Sequence, residues 1–261
     1  EFAGVITEIS SGIDDFAVGD RVAGTAMFGA FAEQVCISLD ALTPISDGVD
    51  DHTAAASGVA FRTAYHALRS VARITTGDDI VVLGAGGGVG LAAVGLATAL
   101  GARVTAVASS PEKLAAASRY GAVRGINHRT QDLRAALREA LPDGATAVLD
   151  PVGGELSEPA LRSLARLGRF VTIGFASGSV ARIPLNLVLV KGIQVLGFQF
   201  QDIPADEFTR NETELRHLLA SGTVAPLVGA SYPLTEAAAA LRHVADGRAI
   251  GKVVVDVCAP V

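Results

Sequence analysis

Apolar and polar positions along the 261-residue chain fall into three successive patterns. Over residues 1–45 the apolar runs are short and broken by turn residues. "AGVITEI" reads as one strand, "SGIDDFAVGDRVAG" as a turn at Gly19-Asp20 entering a second, and "GAFAEQVCIS" alternates well enough for a third. Such spacing predicts a small antiparallel barrel or sandwich. Near residue 52 the pattern turns helical, and "HTAAASGVAFRTAYHAL" carries it to about residue 70. Strands and helices then alternate. "DIVVLGA", "RVTAVAS", "VRGINH", "ATAVLD", "GRFVTIGF" and "GIQVLGFQF" read as six strands. The helices between them are "GVGLAAVGLATALGA" with Gly101 as its stop, "SPEKLAAASRYGA" capped by Ser110 with Pro111 at its first position, "TQDLRAALREAL", and "LSEPALRSLARLG". This alternation predicts an α/β domain, a doubly wound parallel sheet covered on both faces. After about residue 205 the chain is helical twice, then ends in "GKVVVDV", a strand expected back at the first domain.

The junction of the first alternating strand and helix carries "VVLGAGGGVG", with five glycines in seven positions. Read as A-x-G-x-x-G, it places Ala85, Gly87 and Gly90 on the dinucleotide fingerprint, with alanine in the first place. Gly87 would let the backbone approach a pyrophosphate, and Gly90 would let the helix pack close to the strand. The helix N-terminus offers free N–H groups and partial positive charge. Sites for NAD place an acid at the end of the second strand to bond the ribose 2′-hydroxyl. Here that strand ends "AVASSPEK". Ser109, Ser110 and Lys113 suit a 2′-phosphate, so NADPH is the expected cofactor.

Composition narrows the classes. The net charge of −6 and the absence of a basic block argue against nucleic-acid partners. No apolar run reaches the roughly 18 residues of a membrane span, and no basic leader precedes an apolar stretch. Cys36 and Cys258 are far apart and read as two buried small hydrophobes, so a reducing, cytoplasmic setting is expected. His52, His66, His128, His217 and His243 show no ligand spacing, and no metal is expected.

Taken in order, "EFAGVITEI", "VGDRVAG", "GAFAEQV", "TAYHAL", "VLGAGGGVGLAAV", "LGARVTAVASSPEK", "LDPVGGE", "GRFVTIGFASG", "IPLNLVLVKGI" and "GKVVVDV" resemble the medium-chain dehydrogenase/reductase superfamily, in its zinc-independent quinone oxidoreductase (zeta-crystallin-like) branch. The resemblance implies a GroES-like, β-rich catalytic domain over 1–61 and 201–261, incomplete by about 60 N-terminal residues. It implies a Rossmann domain over 62–200, with NADPH and substrate in the cleft between the two. It assigns Thr63 to the nicotinamide and Tyr65 beside it as a weak catalytic candidate. Gly87, Gly88, Val89 and Gly90 go to the pyrophosphate, Ser109 and Lys113 to the 2′-phosphate, and His128 to the adenosine phosphate. Gly174, Phe175 and Phe198 go to the nicotinamide end, with Lys252 near the cofactor. Arg62 departs from the relatives; it could clash with a ligand, bind an acidic substrate or point to solvent. Asp150 is expected to order its turn.

The implied chemistry is hydride transfer to an acceptor that needs no Lewis acid, a quinone or an α,β-unsaturated carbonyl. Two alternatives are an enoyl reductase module of a polyketide synthase and a non-catalytic NADPH-binding protein. "GIQVLGFQF" would be the exposed, apolar edge of the sheet, which predicts a homodimer formed through that edge.

Overall fold

The computed structural model describes residues 1–257. Its centre is a six-stranded parallel sheet of β4 (Asp79–Leu83), β5 (Arg103–Ala108), β6 (Arg124–Asn127), β7 (Ala145–Asp150), β8 (Leu164–Thr172) and β9 (Gln194–Leu196), in the order β6-β5-β4-β7-β8-β9. The order reverses between β4 and β7. An open parallel sheet leaves a crevice outside the carboxyl ends of its strands at such a reversal.

Apolar side chains on the central strand alternate between two cores. Ile80 and Val82 join the one formed with α1 (Asp51–His66) and α2 (Gly88–Ala99). Val81 and Leu83 join the other, with Leu133 and Leu137 of α4 (Leu133–Ala140) and Leu161 of α5 (Ser157–Arg162). Burial on both faces is what the unbroken apolar run "IVVL" requires. α3 (Pro111–Arg119) starts at the Ser110 cap, as its sequence implies.

Around this sheet lie a three-stranded antiparallel sheet, β1 (Phe2–Val5), β2 (Arg21–Gly24) and β3 (Leu42–Pro44), and a parallel pair, β10 (Val228–Pro233) and β11 (Lys252–Asp256). α6 (Leu185–Lys191), α7 (Ala205–Ala220) and α8 (Ala237–Ala245) complete the α-helices among the described residues. The last strand therefore pairs with β10, not with β1–β3.

Several local expectations are corrected. "GAFAEQVCIS" is not a strand, and the third strand is β3 instead. Alternation produces a strand only where a neighbour supplies ladder partners; here Phe28 and Phe31 stand exposed. Cys36 is exposed, not buried, and Cys258 lies outside the described residues. The helix read from "LSEPALRSLARLG" stops at Arg162, and β8 begins at Leu164 with a register shift opposite Ala145/Ala147. Leu161 and Leu164 have helical spacing, but Leu167 sits at φ 62° and faces outward, where the strand bulges.

One buried group is left over. Thr105 on β5 is fully buried, and its hydroxyl has no partner. Thr105→Val should raise stability by about 1 kcal/mol, because an unmatched buried hydroxyl is removed at nearly constant shape. Thermal unfolding would report this as a rise of about 2–4 °C.

Candidate functional site

β4 hands the chain to α2 through a turn that only glycine permits. Gly84 adopts φ 62°, the left-handed region. Ala85 is tied by its N–H to Val107 O (3.0 Å) and Gly87 by its N–H to Gly84 O (2.9 Å). Gly87 is the N-cap of α2 and supplies no side chain, so the first N–H groups of this 12-residue helix stay free for an anion. A Cβ on Gly90 would lie 2.1 Å from Gly84 O, so the absence of a side chain there lets the helix abut the turn. The far side is sealed by Gly251, whose N–H donates to Gly86 O (2.8 Å). The stem of Lys252 lies against Gly88, and its ammonium pairs with Glu1. Lys252 thus reaches the loop.

At the ends of β5 and β6 the sequence-assigned polar residues meet. Lys113 Nζ lies 3.4 Å from Ser109 Oγ and donates to Gly247 O (2.6 Å). Burial first, and then the charge of Arg129, lower the Lys113 pKa. Burial, Arg129 and Lys113 likewise lower that of His128. The Lys113 and Arg129 cations thus lie close enough to feel each other beside His128, which suits a multiply charged anion. Arg129 was missed in the sequence reading, although it directly follows His128 in "INHRT".

The opposite end of the crevice is built on Asp150. Its buried carboxylate accepts from Val152 N (2.9 Å), Gly153 N (2.8 Å) and Ser157 Oγ (2.5 Å), so it orders the turn as expected. Ile173 N donates to Asp150 O (2.8 Å), which sets Gly174 and Phe175 against that turn. Phe175 is half-exposed, and Phe198, just past β9, packs partly against the main core. From Ser109 to Gly174 the crevice crosses three strand spacings, about 14 Å.

α1 divides its residues between two sides. Phe61 and Ala60 face the glycine loop. Tyr65 is buried and donates its hydroxyl to Glu214 Oε2 on α7 (2.7 Å). Burial, with the Glu214 bond, pushes its phenol up to about 12. A phenol so committed packs α1 on α7, and its catalytic assignment has no geometric support. Thr63 is half-buried, and at 100° per residue it points 160° away from Tyr65 around the helix. Arg62 does not float free in solvent. Its Nε donates to Glu212 (3.0 Å), beside a groove lined by Thr25, Ser57 and Gly58. Burial pushes the Glu212 carboxyl up, but the His66 bond and the Arg62 charge outweigh it and hold the group low. Among the described residues, no three His, Cys, Asp or Glu side chains group as metal ligands.

The glycine cradle and the corner formed by Ser109, Lys113 and Arg129 fit a phosphorylated dinucleotide. Residues 88–216 match the family model described as zinc-binding dehydrogenase. The chain is 34% identical over 260 residues to quinone oxidoreductase-like protein 2 of Rattus norvegicus, covering 97% of this chain and 74% of that one. It is 31% identical over 268 residues to the mycocerosic acid synthase-like polyketide synthase of Mycolicibacterium smegmatis, covering 98% of this chain and 12% of that one. The structure of Escherichia coli quinone oxidoreductase complexed with NADPH aligns with a TM-score of 0.88 at 29% identity, covering 97% of this chain and 80% of that one.

Proposed function

Because the chain belongs to the quinone oxidoreductase branch of the medium-chain dehydrogenase/reductase superfamily, we propose that it is an NADPH-dependent reductase acting on a quinone or an α,β-unsaturated carbonyl without a metal. The observation that carries this is the pairing of the glycine cradle with Ser109, Lys113 and His128 at one end of the same strand edge. NADPH, when bound there, supplies the hydride.

The chain's own residues bind, orient and shield. Gly88, Val89 and Gly90 give backbone N–H groups to the pyrophosphate, which Gly87, lacking a side chain, lets approach, and Ser109, Lys113 and His128 hold the 2′-phosphate and adenosine end. Thr63, Gly174, Phe175 and Phe198 fix the nicotinamide end and keep water from it. Lys252 stays close to the pyrophosphate through Gly88. Negative charge that develops on the acceptor's oxygen would be met by backbone N–H groups or water. On this reading residues 62–200 are the nucleotide domain, and 1–61 with 201–261 the GroES-like part.

A second reading, an enoyl reductase module, has its support in the likeness to polyketide synthases. Both readings predict turnover, and an acyl-thioester enone that outpaces every quinone would favour the second. A non-catalytic NADPH-binding protein would bind the cofactor and oxidise it with neither class.

A homodimer through β9 is part of the proposal, as is a cytoplasmic location. β9 is one of the two edges of the sheet in the described residues, and Val195, Leu189 and Leu185 stand exposed around it. An edge this apolar is normally covered. Sedimentation should give a dimer at micromolar concentration, reduced to a monomer by Val195→Lys. A wild-type monomer would contradict it. No helix among the described residues is long and apolar enough to cross a membrane.

A further inference from the structure

A polar and aromatic cluster joins α1, α7 and the segment after β9. At its centre is His66, whose side chain is fully buried. The ring stacks on Phe208 of α7 at 4.8 Å and 17°, and meets Phe200 edge-on at 5.6 Å and 78°. Asn211, also fully buried, donates from Nδ2 to His66 Nδ1 (3.3 Å) and to Ser70 Oγ (2.8 Å). Its Oδ1 accepts from Arg210 (3.1 Å), which fixes the orientation of the amide. An amide nitrogen only donates, so His66 Nδ1 accepts and Nε2 carries the proton given to Glu212 Oε1 (3.0 Å).

Glu212 also takes the bond from Arg62 Nε, so one carboxylate ties together two side chains a turn apart on α1. The Arg62 guanidinium lies over Phe200 at 5.4 Å and Phe208 at 5.6 Å. Phe200 is therefore gripped by His66, Arg62 and Phe208. It in turn meets Phe198 edge to face, at 5.8 Å and 80°.

An all-apolar contact could hold α1 on α7 at least as firmly, because buried charges are costly to desolvate. Directional bonds do what an apolar contact cannot, which is to fix one rotation and one register of the helix. A slide of α1 by a single residue turns it by 100° and breaks the bonds of both Arg62 and His66 to Glu212. Thr63 sits between those two residues on α1, and Phe198 sits two residues before Phe200.

We propose that Arg62, His66 and Glu212 are positioning residues that clamp Phe200, and so hold Phe198 and Thr63 at the nicotinamide end of the cleft. The inference rests on the cofactor reading of that cleft. It also gives Arg62 a purpose that its sequence left open.

The emission of the reduced nicotinamide reports its surroundings separately from the affinity of the phosphate end. NADPH should bind the wild-type protein with enhanced, blue-shifted emission. His66→Leu and the milder Phe200→Leu should lose about half of that enhancement or more, while affinity for 2′,5′-ADP stays within about threefold. Glu212→Gln, which keeps an acceptor for both partners, should retain most of it. Full enhancement in Phe200→Leu and in folded His66→Leu would overturn the proposal alone. So would an equal loss of 2′,5′-ADP affinity, which marks a general packing defect. A wild-type protein that binds neither NADPH nor 2′,5′-ADP would overturn the cofactor reading, and this proposal with it.

Discussion

Gly90→Ala should cost the protein about 3 kcal/mol or more and nearly all of its cofactor affinity. The added Cβ would lie 2.1 Å from Gly84 O, 2.7 Å from Gly84 C and 2.9 Å from Ala85 Cα. All three are backbone atoms, so no side chain can swing away to make room. The start of α2 must move off the turn, and the free N–H groups move with it. A chain of this size loses about 2–4 °C of Tm per kcal/mol, so a fall of about 10 °C is expected. NADPH affinity should fall about a hundredfold, the loss of two charge-assisted contacts. Gly88→Ala is the control. Its Cβ meets the Lys252 stem at 2.9 Å and Ala60 Cβ at an ordinary 3.9 Å, and the flexible lysine stem can yield. Thermal unfolding and NADPH titration of both variants check the argument. Wild-type values for Gly90→Ala would show that the helix does not need to abut the turn.

Lys113→Gln should weaken NADPH binding about ten- to a hundredfold and leave NADH binding within about twofold, the range for one charge-assisted hydrogen bond. The ammonium lies beside Ser109 Oγ at the end of β5, with the Arg129 charge adding to the same field. Adding Ser109→Asp places an acid where a ribose 2′-hydroxyl would be bonded, and the double variant should prefer NADH. The Lys113 bond to Gly247 O is lost as well, so Tm is measured alongside. An equal loss for both cofactors would show that Lys113 only tethers the Gly247 segment.

Most of the parallel sheet was legible because its signals are local. "IVVL" and "AVLD" are apolar runs that suit only doubly buried strands, and Ser110-Pro111 and Gly101 punctuate helices by their own backbone preferences. The glycine loop was legible for the same reason. The errors fell where tertiary contacts decide. "GAFAEQVCIS" has the alternation of a strand but no ladder partner, and Leu164 has helical spacing yet pairs with Ala145. β10 and α6 were missed. "VGASYP" mixes polar and apolar positions on a partly exposed pair, and α6 leaves Leu185 and Leu189 in solvent.

The site divided along the same line. Ser109 and His128 follow the ends of the neighbouring strands β5 and β6, and Lys113 stands on the first turn of α3 directly after Ser109, so strand order brings the three together. The Tyr65 bond to Glu214 was not legible because that partner is far along the chain, and nothing near Tyr65 announces it. Arg62 and His66 looked unrelated until α7 supplied Glu212 to both.

The chemistry proposed for this cleft is reduction of an already electron-poor acceptor by NADPH. The direct measurement is the loss of NADPH absorbance with the protein and a panel of quinones and enones, with NADH run in parallel. Turnover of at least one acceptor, with kcat/KM for NADPH about tenfold or more above that for NADH, is the predicted result. Tight NADPH binding with no acceptor reduced, or equal rates with NADH, would contradict it.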